Sequence, residues 1–146
     1  MTTATNGDFR GNKLWLQSVA SGQDWVLCHT SALECLELFV GYLNESRIDV
    51  YAKEAGEYEN VNYRIVDSFE GLSTINYRDV YYTSTNQTIN DMLSDFDNID
   101  EPSLVEALAT YYYTHNDSFS GLDIRPENQA AFDSIKEWAI EYYNED

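Results

Sequence analysis

The sequence predicts an α+β fold: one domain, with a small mixed or antiparallel sheet of three to five short strands packed with about four helices. Three observations lead there. Runs of β-branched and aromatic residues fall mid-chain, at 48–52, 63–67 and 80–83, and strands select those residue types. Capped amphipathic helices flank these runs instead of alternating with them, which disfavours a doubly wound sheet. At 146 residues the chain has the length of one domain and can bury a real core.

The elements follow in order. Residues 1–23 read as a polar tail with a short apolar segment (Leu14, Trp15, Leu16, Val19), and residues 24–146 as the α+β domain. Trp25 to Cys28 is a brief buried segment. Ser31 and Glu34 have capping-box spacing ahead of a helix carrying Ala32, Leu33, Cys35, Leu36, Phe39 and Val40, with Gly41 as its expected stop. Ile48 to Ala52 is a strand. Lys53 to Asn60 turns around Gly56 as a hairpin loop, so Tyr63 to Asp67 is the returning strand. Ser68 to Tyr77 reads as irregular. Val80 to Thr83 is a strand, and Ser84 with Gln87 caps the next helix, whose Ile89, Met92, Leu93 and Phe96 share one face. Pro102 opens another helix, with Leu104, Val105, Leu108, Tyr111 and Tyr112 as its stripe. After a loop at 116–121, Pro126 opens the last helix, which runs to about Tyr143. Its apolar face is Ala130, Ala131, Ile135, Trp138, Ala139 and Tyr142.

Charge is the outstanding property: 26 Asp and Glu stand against 8 Lys and Arg, a formal net charge of −18. Duplex binding needs cations to displace phosphate counterions, so direct nucleic-acid binding is disfavoured. A basic protein surface is the complementary partner. Solubility alone is served by a net charge of about 2–8. On the last helix Asp133, Glu137, Glu141 and Glu145 repeat at i+4, where like charges cost about 0.2–0.5 kcal/mol per pair. They also crowd the helix end that the dipole disfavours for acids. These four are the first candidates for partner contact, against the simpler reading of a solvated outer face. Asp95, Asp97, Asp100 and Glu101, between two helices, are the second set.

The known chemistries do not match. No phosphate loop or dinucleotide fingerprint occurs. The acid that restriction-type nucleases place two before a lysine is Tyr51 before Lys53 and Ser134 before Lys136. Asp95 and Asp97 lack the Gly-Ser loop of nucleotidyltransferases. A calcium loop counted from Asp95 would need Gly where Asp100 stands and Glu at its twelfth place, which Glu106 occupies; the helix-capping reading is simpler. Cys28 adjoins His29, but adjacent side chains diverge, and pairing Cys28 with His115 would need the fold to join them. His29 reads as structural. No catalytic residue, metal site or cofactor is expected. Two cysteines and no secretory or membrane-length apolar run suggest a cytoplasmic protein with reduced thiols.

Three segments carry a resemblance. Ser31-Ala32-Leu33-Glu34 opens the first helix. Val80-Tyr81-Tyr82-Thr83-Ser84 is followed by Thr88-Ile89-Asn90-Asp91-Met92-Leu93. Leu104-Val105-Glu106-Ala107-Leu108 lies in the later helix. In order and spacing these resemble the effector half of AbiEi-type antitoxins of bacterial toxin–antitoxin and abortive-infection systems, over roughly 120 residues from Trp25 on. The family's signature has a basic residue where Gln87 stands, so that residue's role is not carried over. Its N-terminal winged helix is expected to be missing, and promoter binding with it. The resemblance implies a non-enzymatic domain that binds and neutralises a toxin or a nucleic-acid-handling partner. The alternative is a phage or mobile-element inhibitor of the anti-CRISPR type, whose carboxylates mimic nucleic acid and block a basic cleft.

Overall fold

A computed structural model describes residues 20–39, 48–77 and 79–142. Five strands form one sheet: β1 (Trp25–Leu27), β2 (Ile48–Ala52), β3 (Val61–Ile65), β4 (Thr74–Tyr77) and β5 (Val80–Thr83), in the order β3-β2-β1-β5-β4. Four α-helices lie wholly within the described residues: α1 (His29–Cys35), α2 (Thr85–Ser94), α3 (Glu101–Thr114) and α4 (Gln129–Glu141). The fold is therefore the expected small α+β domain with a mixed sheet. Val40, Gly41, Tyr143, Glu145 and the apolar segment at 14–19 lie outside the described residues.

The sheet departs from expectation in three places. First, β2 and β3 are parallel, Ile48 facing Val61 and Ala52 facing Ile65, so residues 53–60 are not a hairpin loop. They carry the chain back along the sheet. Gly56 serves that path by close approach: a Cβ there would lie 2.5 Å from the Tyr63 hydroxyl, which also accepts the Tyr58 amide at 3.3 Å. Second, Thr74–Tyr77, expected to be irregular, pairs antiparallel with β5. Asp79 takes a left-handed φ of 65° in the connecting turn, as tight hairpins require. Third, α1 starts earlier than its predicted cap. Cys28 is the N-cap without a side-chain bond, and Ser31 Oγ instead accepts the Asp49 amide at 2.8 Å. That bond ties the helix to β2.

Two later caps form where the sequence puts them. Ser84 Oγ accepts from the Gln87 amide, and Asp100 from the Ser103 amide. Gln87 does not reach back to complete the box; its side chain joins the Ser73 amide and the Asp91 carboxylate.

Apolar side chains collect into two clusters. Leu33, Ile89, Met92, Leu104, Leu108, Phe132 and Ile135 fill the space among the helices. Trp25, Leu27, Ile48, Val50 and Val80 form the other on the sheet, where Tyr58 and Tyr63 meet the Trp25 ring edge-on. Each buried Leu or Ile contributes about 1.5–3 kcal/mol relative to exposure. Trp138, expected in the core, is instead 40% exposed. Ala139 takes the buried place beside it, because the last turn of α4 lies close on α3: Tyr142 bonds Glu106, and Tyr113 bonds the Ile140 carbonyl.

Candidate functional site

Side chains alternate along strands, and the register divides the sheet into unlike faces. Trp25, Leu27, Val50 and Val80 share one face, and Asp49, Tyr51, Asn62 and Arg64 share the other. The polar face meets the end of α2 and the start of α1. There Arg64 bridges two acids: Nη1 lies 3.1 Å from Asp49 Oδ1 and Nη2 lies 3.3 Å from Asp95 Oδ2. Asn62 also donates to Asp49 at 3.3 Å. Asp49 is 2% exposed, so its charge depends on these donors.

His29 completes the cluster. It is buried, it holds a left-handed φ of 49°, and neither ring nitrogen has a hydrogen-bond partner. Nε2 stands 3.7 Å from Asp95 Oδ2, too long for a hydrogen bond. Burial pulls its pKa down to about 4 and the Arg64 charge adds to the effect, against the opposing pull of Asp49 and Asp95. The ring is therefore neutral at pH 7. A recess of about 20 Å³, lined by His29, Asp49, Arg64, Asn98 and Asp100 among others, opens beside it; that is room for one water. Asp95 titrates low, held there by Asn98 first and by Arg64 against partial burial. Asp91, by contrast, is raised by burial despite bonds from Tyr51 and Gln87.

The cluster's capacity for chemistry is small. Burial, reinforced by Asp49, pushes the Cys28 thiol well above its usual range, so it does not supply the thiolate that nucleophilic catalysis uses. Both cysteines are buried. His115 stacks on Tyr111 at 3.7 Å between ring centres and makes its polar contacts at the end of α3. No group of His, Cys, Asp or Glu with metal-binding geometry occurs among the described residues.

Seven of the eight acids singled out in the sequence are described, and they separate into three situations. Asp95 and Asp100 are committed inward: Asp95 to Arg64 and Asn98, Asp100 to the α3 cap. Asp97 is exposed and Glu101 half-buried beside them. On α4, Asp133, Glu137 and Glu141 are all exposed, with Lys136 reaching Asp133 at 3.8 Å. Glu145 lies outside the described residues. Sequence reading missed the Asp49–Arg64 pair, because its members sit on strands whose parallel pairing carried no local signal. It also missed Asn86, Asn90 and Asn128. Asn90 takes the Asp123 carbonyl and the Arg125 amide, Asn86 takes the Asp123 amide, and Asn128 bonds Asn90. Together they lash the loop before α4 onto α2.

Compared with the models of known protein families and with curated proteins, the chain gives no match. No helix among the described residues is long and apolar enough to cross a membrane.

Proposed function

We propose that this chain is a non-enzymatic protein that binds and neutralises a protein partner with a basic surface, as an antitoxin does. The observation that carries this reading is the outer face of α4. At 3.6 residues per turn, Asp133, Glu137 and Glu141 form one exposed stripe, and the exposed Trp138 stands at its margin. A large aromatic beside charge is the composition of an interface hot spot. In the polar cluster on the sheet, Asp49, Arg64 and Asp95 are held by one another, which fits a scaffold better than a reaction centre. The partner is a toxin or a nucleic-acid-handling enzyme with a basic cleft, met in the cytoplasm.

The second reading is an anti-defence inhibitor that mimics nucleic acid. The net charge of −18 favours it, as do exposed carboxylates away from α4, at Glu54, Glu57, Asp67 and Glu70.

The experiment is affinity capture from host lysate at low and high salt, with wild type, Glu137→Lys/Glu141→Lys and Trp138→Ala. A basic protein held by wild type at low salt, released by salt and lost from both variants, is the expected result. Its identity separates the two readings. Equal capture by the folded variants removes α4 from the interface.

A further inference from the structure

Among the described residues, one side of the sheet ends in a strand with no further neighbour. β4 is outermost, and all four residues from Thr74 to Tyr77 are exposed. The phase of its ladder is fixed by the Ser84 amide, which donates to the Ser73 carbonyl at 2.9 Å. Antiparallel ladders alternate hydrogen-bonded with non-bonded pairs. Ile75–Tyr82 and Tyr77–Val80 are therefore the next bonded pairs. Thr74 and Asn76 direct their N–H and C=O groups away from β5, and these meet no partner among the described residues. Natural edges are blunted by a charge, a proline or a bulge. Thr74-Ile75-Asn76-Tyr77 has no charge and no proline, and its pairing with β5 is continuous.

Beside this edge lies a groove of about 590 Å³, whose lining includes Asp24, Trp25, Phe69, Thr74, Asp79 and Tyr81. Trp25, Phe69 and Tyr81 give its walls aromatic surface among small and polar residues, and its two charged side chains are both acids. The chain's own Lys53 shows what such walls attract. Its ammonium stands 5.1 Å from the Phe69 ring centre and 3.6 Å from Asp24.

We propose that β4 is a docking edge for an extended, lysine- or arginine-bearing segment of a protein partner. The segment adds to the sheet beyond β4 and sets a cationic side chain in the groove between Asp24 and Asp79. Main-chain bonds to Thr74 and Asn76 supply the affinity, and the acidic, aromatic groove supplies the choice of side chain. The inference rests on the partner-binding role above, but none of its residues belongs to α4.

The test uses a fluorescein-labelled hexapeptide of alternating Lys and Val, read by anisotropy and by amide NMR shifts of the full chain. Asn76→Pro changes no charge and removes one outward N–H while leaving the β4–β5 bonds in place. Asp24→Asn/Asp79→Asn removes the groove charges, and Asn tolerates the left-handed backbone at position 79. Wild type is expected to bind saturably, with shifts centred on Thr74–Tyr77. Asn76→Pro should weaken binding by up to about ten-fold, the loss of one hydrogen bond. The groove variant should weaken it and flatten its salt dependence. Glu137→Lys/Glu141→Lys should keep the β4 shifts, so failure of the α4 reading and failure of this one are separable. Undiminished binding by a folded Asn76→Pro, or by the groove variant, overturns the proposal, as do shifts centred elsewhere. A wild-type dimer that Asn76→Pro dissociates assigns the edge to a second copy and overturns it too.

Discussion

Arg64 holds two carboxylates from different parts of the chain, one on β2 and one just past α2. Taking away the more buried partner leaves a half-buried guanidinium with the more exposed Asp95 as its remaining acid. Asp49→Ala is therefore expected to cost about 3 kcal/mol, measured by urea unfolding. His29 adds a pH dependence whose sign follows from its neutral buried state. Its pKa is 6.5 when unfolded and about 4 when folded, so protons bind the unfolded chain first. Stability is full above pH 6.5 and falls as the pH drops from there towards 4, by at most about 1.4 kcal/mol per pH unit. Asp91, raised by burial, acts oppositely, because protonation there relieves a buried charge. Unfolding measured between pH 7 and 5 should slope downward in wild type. The slope should largely vanish in His29→Asn, a residue that also accepts the left-handed backbone. An unchanged slope would place the titration elsewhere.

At the scale of elements, the asparagine lashing is the most exposed to test. Asn90→Ala leaves the Asp123 carbonyl, the Arg125 amide and Asn128 each short of a partner. A loss of about 2–3 kcal/mol is expected, with faster hydrogen exchange at the Arg125 amide. Gly121 closes the same loop. Its φ of 95° suits glycine, and a Cβ would meet the Tyr111 hydroxyl at 2.5 Å, so Gly121→Ala should also destabilise. How far these elements were legible depends on where their information lies. α2 and α3 announced themselves because Ser84, Asp100 and Pro102 act within a turn of the residues they cap. The helix α1 was legible but its start was not, since Ser31 uses its hydroxyl on Asp49, far along the chain. The direction of β3 was hidden because alternation is the same in parallel and antiparallel strands. A glycine at 56 suggested a turn when its function is to clear Tyr63. The acids of α4 were legible from their spacing, but the exposure of Trp138 was not, since tryptophan in an amphipathic stretch ordinarily marks the buried side.

For the molecule as a whole, charge is the property that acts at every distance. With 26 acids in 146 residues, self-repulsion works against the compact state, and salt screens it over about 10 Å at 0.1 M. Thermal unfolding should therefore shift upward from 10 mM to 150 mM sodium chloride, while capture of a basic partner weakens over the same range. Opposite responses of stability and binding are the expected signature; a falling Tm would mean that attractive pairs such as Asp49–Arg64 outweigh the repulsion.

The place of β1 in the sheet also has a consequence for synthesis on the ribosome. β1 lies at the centre, yet its two neighbours are made at very different times: β2 follows closely, and β5, which pairs Tyr81 with Val26, only much later. At about 5–20 residues per second, a nascent chain spends several seconds with one flank of its central strand unpaired. Chaperones and proteases meet the protein in that interval, and a pause in translation before Val80 lengthens it.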